Sequence, residues 1–171
     1  GENTPGGSLP GVFSPDANAA TFTSFIENAV PAAKRIAAAG GYFMYHNHAA
    51  EFKMFDGKLG MDYLTEAFAP REMGFTLDTH WVKVGGYEPV EWLNKLAGRT
   101  PCVHYKDLIV KDGKNYYAPV GSGVLDFDAI IKTSIDNGVE YAFVEQDDCY
   151  GEDPYACLKK SYEYLKSMGL N

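Results

Sequence analysis

The sequence predicts an α/β fold built from parallel (β/α) units, and three observations carry the prediction. Short apolar runs alternate with segments of helical periodicity along the chain. Each run ends in a cluster of histidines or acids, which is where parallel folds place functional side chains. Hydrophobic residues make up 46% of the 171 residues, enough for one sizeable core, so we interpret residues 1–171 as a single domain.

The first helix is predicted to open at Ser14-Pro15-Asp16 and to stop at Gly40-Gly41, because apolar residues recur between them at helical spacing. Pro31 lies inside this segment. Proline lacks the backbone N–H that a helix interior uses, so we expect the helix to be kinked or divided there.

Four apolar runs are predicted to be buried strands with polar ends. They are residues 42–45 before His46-Asn47-His48, 74–77 before Asp78-Thr79-His80, 101–103 before His104-Tyr105-Lys106-Asp107, and 141–144 before Glu145-Gln146-Asp147. Helices are predicted around residues 61–69, 89–97 and 127–137, and a last one between Asp153-Pro154 and Gly169. This alternation is typical of a parallel sheet with right-handed crossovers.

Composition excludes several classes of function. The formal charge of -8 opposes the phosphate neutralisation that nucleic-acid binding needs, so no nucleic-acid partner is expected. No apolar run approaches the roughly 20 residues of a membrane span, so no membrane partner is expected either. The opening residues lack the basic and apolar parts of a signal peptide, which favours a cytoplasmic location; a signal segment already removed would make it periplasmic.

The strand-end residues predict a metal site. Residues two apart on a strand project to the same side, which pairs His46 with His48, Asp78 with His80, His104 with Lys106, and Glu145 with Asp147. If these pairs face a common interior, imidazoles and carboxylates meet in one pocket. Such groups suit Mn²⁺, Zn²⁺ or Co²⁺, which can polarise a carbonyl and stabilise the enediolate formed when a neighbouring proton is removed.

Simpler interpretations apply to single residues. One histidine at a strand end is usually structural, but the joint pattern over four strands favours a site. Lys106-Asp107 is equally consistent with a surface ion pair. Trp81 is interpreted as a packing residue. Gly121-Ser122-Gly123 lacks the spacing of a phosphate loop and is interpreted as an ordinary turn.

Several segments together resemble the sugar phosphate isomerase/epimerase family, the xylose-isomerase-like barrels that include inosose dehydratases and hydroxypyruvate isomerases. The segments are YHNHAAEF at 45–52, LDTHWVKVGGYEPVEWL at 77–93, GRTPCVHYKD at 98–107, PVGSGVLDF at 119–127 and YAFVEQDD at 141–148. The resemblance covers nearly the whole chain, and it is specific only when the segments are taken together.

The resemblance implies a (β/α)₈ barrel whose last four strands hold a divalent ion, here Mn, Zn, Co or Mg. Asp78, His104 and Glu145 match the metal positions, and either His46 or Glu51 would supply the first ligand. Glu145 would also shuttle a proton. The remaining candidates for substrate contact or acid/base catalysis are His48, His80 and Lys106.

The implied function is that of a metal-dependent isomerase or epimerase acting on a sugar or keto-sugar. The alternatives are a lyase of the inosose dehydratase sort and a metal- or sugar-binding module without turnover. The chain supplies about the C-terminal half of a barrel, since a full one needs about 250 residues. Ser8-Leu9-Pro10 resembles the tail of an earlier strand. We therefore expect a missing N-terminal half or a homo-oligomer to cover the exposed sheet edge.

Overall fold

The computed structural model describes residues 11–170 and contains a partial (β/α) barrel; the interpretation of Ser8-Leu9-Pro10 lies outside the described residues. The strands are β1 (Phe43–His46), β2 (Met54–Phe55), β3 (Lys58–Leu59), β4 (Met73–Asp78), β5 (Cys102–Tyr105), β6 (Asp107–Lys111), β7 (Lys114–Ala118) and β8 (Tyr141–Val144). The helices are α1 (Ala19–Ala38), α2 (Gly60–Ala67), α3 (Thr79–Val84), α4 (Pro89–Lys95), α5 (Phe127–Asp136) and α6 (Pro154–Ser167), with a 3-10 turn at Ala49–Phe52.

The central sheet has the order β1-β4-β5-β8, and all neighbouring strands are parallel. Asp78 pairs with His104, and His104 pairs with Phe143, so the strands bring their carboxyl ends to one edge. Two antiparallel hairpins, β2-β3 and β6-β7, follow β1 and β5. The predicted parallel (β/α) fold is confirmed, whereas the two hairpins and the short helix α3 were not predicted.

Helix α1 differs from its prediction at two points. It begins at Ala19, because the side chain of Asn18 accepts a hydrogen bond from the Ala20 N–H and so caps the helix. It also continues through Pro31 as one helix, so of the two predicted effects the division is wrong, and the kink stays a prediction. Pro31 is exposed, so the backbone carbonyl that loses its N–H partner can be hydrated.

The core lies between the sheet and its helices and includes Phe22, Phe75 and Val103, none of which is exposed. Strand β8 departs from the prediction that all four strands are buried. Tyr141 is 62% exposed and Phe143 is 56% exposed, because β8 is the last strand of the sheet and has a neighbour on one side only. None of the helices between residues 11 and 170 has the length and apolar character needed to cross a bilayer.

Candidate metal centre

Four side chains from the carboxyl ends of the four parallel strands converge on one point. His46 ends β1, Asp78 ends β4, His104 lies near the end of β5, and Glu145 directly follows β8. Each offers one nitrogen or oxygen atom, and these atoms all lie within 4.8 Å of one another. We refer to these four residues as the ligand cluster.

Asp78 occupies the centre of the ligand cluster and is fully buried. Its Oδ2 lies 3.3 Å from Nε2 of His46 and 4.0 Å from Nδ1 of His104. Its Oδ1 accepts a hydrogen bond of 3.0 Å from the Trp81 N–H and caps helix α3. The helix therefore fixes one carboxylate oxygen and leaves the other for the cluster.

The contact between His104 and Glu145 supports a bound cation. The Glu145 carboxylate lies against Nδ1 of His104, yet this buried nitrogen makes no hydrogen bond of acceptable geometry to any residue between 11 and 170. A buried polar atom without a partner is costly, and a shared cation would satisfy both groups. Two imidazoles and two carboxylates are ligand types that Zn²⁺, Mn²⁺ and Co²⁺ accept, so the residues fit a divalent ion.

Glu145 is held in its ionised form. The His104 contact lowers the pKa of Glu145 most, and the hydrogen bond from Lys106 lowers it further, against the opposing effect of partial burial. Together these contacts keep the pKa of Glu145 well below its usual range. The carboxylate is therefore ionised at neutral pH, as a metal ligand requires.

Glu51, the alternative first ligand, lies outside the ligand cluster. Its Oε1 accepts a 2.6 Å hydrogen bond from the Tyr45 hydroxyl, and its Oε2 accepts a 3.0 Å bond from the His48 N–H. Burial raises the pKa of Glu51, which disfavours the ionised form that a metal ligand requires. Of the two residues that the sequence left open, the structure brings only His46 to the other three.

Lys106 is buried beside the ligand cluster and does not form a surface ion pair with Asp107. Its Nζ donates hydrogen bonds of 3.0 Å to Glu145 and 2.7 Å to Asp147, and lies 3.8 Å from Asp78. Burial lowers the pKa of Lys106, but the three carboxylates outweigh this effect and raise it above its ordinary value. Lys106 therefore carries its positive charge at neutral pH.

His48 and His80 flank the ligand cluster without joining it. The His48 ring lies 4.8 Å from that of His46, and the His80 ring packs edge-on against Trp81. Burial lowers the pKa of both histidines, which favours neutral rings at pH 7. Nδ1 of His80 lies 3.4 Å from the Asp107 carbonyl oxygen, which can only accept, so Nδ1 carries the proton and Nε2 is the basic nitrogen.

Three neighbours of the site were missed or undervalued in the sequence. Asp147 was paired with Glu145 by strand alternation but was given no role. Tyr117 lies on β7, in the hairpin that periodicity did not reveal. Trp81 was interpreted as packing, yet the rings of Trp81 and Tyr117 each lie 5.0 Å from Nζ of Lys106.

The Gly121–Gly123 segment is an ordinary turn, as interpreted. The N–H groups of Gly121 and Gly123 donate to Oδ2 of Asp107 at 3.1 and 2.8 Å. Asp107 accepts two further backbone bonds through Oδ1, from Leu108 and Leu125. A carboxylate of the chain itself thus occupies the place that an anion would take in a phosphate loop.

Comparison with known proteins shows what the chain is similar to. No family model matches the chain. A sugar phosphate isomerase/epimerase from Parabacteroides distasonis superimposes with a TM-score of 0.74 and 26% identity, covering 88% of this chain and 53% of that protein. The chain resembles the xylose-isomerase-like sugar phosphate isomerases and epimerases. The family resemblance that the sequence predicted is confirmed.

Two further proteins are similar to the chain. The chain is 29% identical to an inosose dehydratase from Geobacillus kaustophilus over 147 residues, which cover 75% of this chain and 47% of that enzyme. A 3-keto-D-glucoside 4-epimerase from E. coli shares the fold, with a TM-score of 0.64 at 17% identity over 94% of this chain and 59% of that one. The chain thus spans about half the length of the relatives that it matches.

Proposed function

We propose that the chain provides the metal centre of a divalent-metal-dependent isomerase or epimerase that acts on a sugar or keto-sugar. The convergence of His46, Asp78, His104 and Glu145 at the carboxyl ends of four parallel strands is the observation that carries the proposal. The relatives named as sugar isomerases and epimerases support the same class of substrate.

The four residues of the ligand cluster would hold the ion. When bound, it supplies positive charge that stabilises the negative charge developing on a carbonyl oxygen as the adjacent carbon loses a proton. Glu145, which the family resemblance implicates in proton transfer, lies beside the proposed ion position and would be the acceptor of that proton. Lys106 and the neutral rings of His48 and His80 are the groups placed to orient the hydroxyls of a sugar or to return the proton.

A lyase of the inosose dehydratase sort is the second candidate, and the similarity to the Geobacillus enzyme favours it. Loss of a proton beside a carbonyl is common to both reactions. In the lyase a hydroxyl group leaves as water instead of the proton returning to carbon. The same base and the same bound ion serve both reactions, so the isomerase and the lyase are distinguished by their products.

Metal content is the first experiment. We expect wild-type protein, purified without chelator or affinity-column metal, to carry about one equivalent of Mn, Zn or Co by mass spectrometry. His104→Ala should carry little. The matched control is His80→Ala, which removes a neighbouring imidazole outside the ligand cluster and should leave the metal content unchanged. Equal metal in all three proteins would refute the ligand assignment.

Proton exchange then tests catalysis. Keto-sugars and inosose are incubated with metal-loaded protein in D₂O, and the C–H signals beside the carbonyl are followed by NMR. Exchange without water loss supports the isomerase or epimerase, whereas a dehydrated product supports the lyase. Tight metal binding with no exchange would favour a binding module without turnover.

A further inference from the structure

Two of the three cysteines of the chain meet where the loop after β8 runs into helix α6. Cys149 lies in that loop, and Cys157 lies near the start of α6. The two thiol groups are close enough to share a hydrogen bond. Cys102 is the first residue of β5 and so lies at the opposite end of the sheet. The pair is therefore separated from the third cysteine.

The backbone of the loop accounts for this contact. The Cys149 carbonyl oxygen accepts a 2.9 Å hydrogen bond from the Glu152 N–H, which closes a turn over residues 149–152. Tyr150 and Gly151, the two central residues of the turn, have positive φ values of 51° and 87°. Such a turn reverses the chain tightly. The reversal lays Cys149 against the first turns of the helix that carries Cys157.

The turn is held in place by the neighbouring β6-β7 hairpin. A bulky residue with positive φ is uncommon and persists where its surroundings fix it. The hydroxyl oxygen of Tyr150 accepts a 3.1 Å hydrogen bond from the Tyr117 N–H, and the two rings stack with their centroids 6.3 Å apart. The Tyr116 ring packs edge-on against Tyr150 at 5.3 Å. The position of Cys149 is therefore fixed by contacts outside its own loop.

The two thiols differ in their access to solvent. Cys157 is 2% exposed, whereas Cys149 is half-buried. The Cys157 sulfur lies 3.9 Å from Oε2 of Glu152, and the same oxygen accepts a 3.0 Å hydrogen bond from Nζ of Lys160. Cys149 is thus the member of the pair that a dissolved reagent reaches first.

The surroundings of Cys149 do not activate it as a catalytic nucleophile. Partial burial raises the pKa of the Cys149 thiol most, and the adjacent Cys157 thiol and the carboxylates of Asp148 and Glu152 raise it further. Catalytic cysteines have lowered pKa values. Exchange with a disulfide remains open to such a thiol, because the thiolate that does form is a strong nucleophile.

We propose that Cys149 and Cys157 form a redox-active dithiol that a low-molecular-weight disulfide, such as oxidised glutathione, converts to an intramolecular disulfide. The Cys149 thiolate attacks one sulfur of oxidised glutathione, whose S–S bond breaks, and one glutathione leaves. The Cys157 thiolate then attacks the Cys149 sulfur of the mixed disulfide and releases the second glutathione. The protons of the two protein thiols pass to the two departing thiolates, so the pair is oxidised as the reagent is reduced. The new bond ties the loop after Glu145 to α6.

The test measures disulfide exchange in the full 171-residue chain. Reduced protein is equilibrated with mixtures of reduced and oxidised glutathione, quenched by alkylation, and analysed by intact mass and peptide mapping. We expect a monomer lighter by two hydrogen atoms, with Cys149 joined to Cys157 and with Cys102 still open to alkylation. The effective concentration of the pair should be at least about tenfold higher in the folded chain than in urea, because the fold holds the thiols together. Equal values in the two conditions, or no disulfide in excess oxidised glutathione, would overturn the proposal.

Three variants assign the roles of the two thiols. Cys157→Ser removes the thiol that closes the bond, so Cys149 should retain one glutathione as a mixed disulfide. Cys149→Ser should take up little glutathione, because the side chain of Cys157 is buried. Cys102→Ser is the matched control and should form the same disulfide with the same effective concentration. A glutathione adduct that persists on Cys149 in wild type, or a disulfide that includes Cys102 or joins two chains, would contradict the proposal.

Discussion

Asn47 fixes the backbone of Asp78 from the neighbouring strand. Its Oδ1 accepts a 3.0 Å hydrogen bond from the Asp78 N–H, and its Nδ2 lies 3.5 Å from the Asp78 carbonyl oxygen. Both residues are fully buried. The residue between His46 and His48 therefore supports the central ligand of the cluster, although it offers no ligand itself.

We predict that Asn47→Ala lowers the free energy of unfolding by about 1–3 kcal/mol, because it leaves the buried Asp78 amide without its partner. Metal affinity should fall as well, since Asp78 loses its fixed position. Urea denaturation and metal titration measure the two effects. Asn115→Ala, at an exposed position of the β6-β7 hairpin, is the control and should change neither quantity. Unchanged stability in Asn47→Ala would show that the hydrogen bond between Asn47 and Asp78 contributes nothing to the free energy of unfolding.

The choice between His46 and Glu51 leads to a second prediction. His46→Ala should weaken metal binding by more than the roughly 10- to 100-fold that the loss of a residue supporting a ligand costs. Glu51→Gln should keep the metal and lose stability, since its amide group would face the Tyr45 hydroxyl or the His48 N–H, both hydrogen-bond donors to Glu51. Metal titration and urea denaturation of the same samples separate the loss of metal binding from the loss of stability. If Glu51→Gln lost the metal while His46→Ala kept it, Glu51 and not His46 would be the first ligand.

Most of the site could be predicted because it depends on strand ends. A buried parallel strand is a short apolar run, and its carboxyl end is the next polar residue, so periodicity and one rule about parallel sheets place His46, Asp78 and His104 at one edge. The family resemblance then implied which of the strand-end residues are ligands. Glu51 could not be resolved in this way. The direction of the Glu51 side chain is set by the 3-10 turn at Ala49–Phe52. A turn of four residues is too short to be recognised from sequence periodicity.

Exposure and hairpins were harder to predict for physical reasons. The run Tyr141–Val144 has the same composition whether or not a neighbouring strand covers it, so periodicity cannot show that β8 is the last strand of the sheet. The strands of β2-β3 are two residues long, which is too short for an alternation pattern. Tyr117 was missed with the second hairpin, and its proximity to Lys106 depends on that hairpin.

Asp107 provides a third prediction, because one carboxylate accepts four backbone N–H groups. Asp107→Ala should cost about 2–4 kcal/mol of stability, since several buried amides lose their acceptor together. Hydrogen exchange should rise most at Gly121 and Gly123. Asp112→Asn, in the exposed turn of the β6-β7 hairpin, is the control, because Asn tolerates the positive φ of that position. Exchange that rises uniformly along the chain, instead of at this turn, would contradict the proposed role.

The hydroxyl group of Tyr117 should ionise at a higher pH than that of an ordinary tyrosine. Burial raises the pKa of Tyr117 most, and the neighbouring Asp147 raises it further, to about 12. Because the folded pKa lies above the unfolded value of about 10, this tyrosine should reduce stability as the pH rises from 10 toward 12. The difference in tyrosinate absorbance between wild type and Tyr117→Phe reports its midpoint. Asp147→Asn should lower that midpoint, and an unchanged midpoint would leave burial as the whole cause.

The exposed edge of the sheet predicts association. Tyr141 and Phe143 on β8 are more than half exposed, and on α6 Tyr155 is 82% and Leu158 52% exposed beside Val144 of the same strand, so exposed apolar side chains flank the open strand β8 on both faces. Such edges pair with other strands unless they are covered. We expect the 171-residue chain to self-associate at micromolar concentration in analytical ultracentrifugation.

Phe143→Lys should weaken association, since a charge on the open strand opposes pairing, whereas Ile135→Lys, at an exposed position on α5, should not. A compact monomer at these concentrations, in wild type and both variants, would show that the edge is protected in solution without a partner strand.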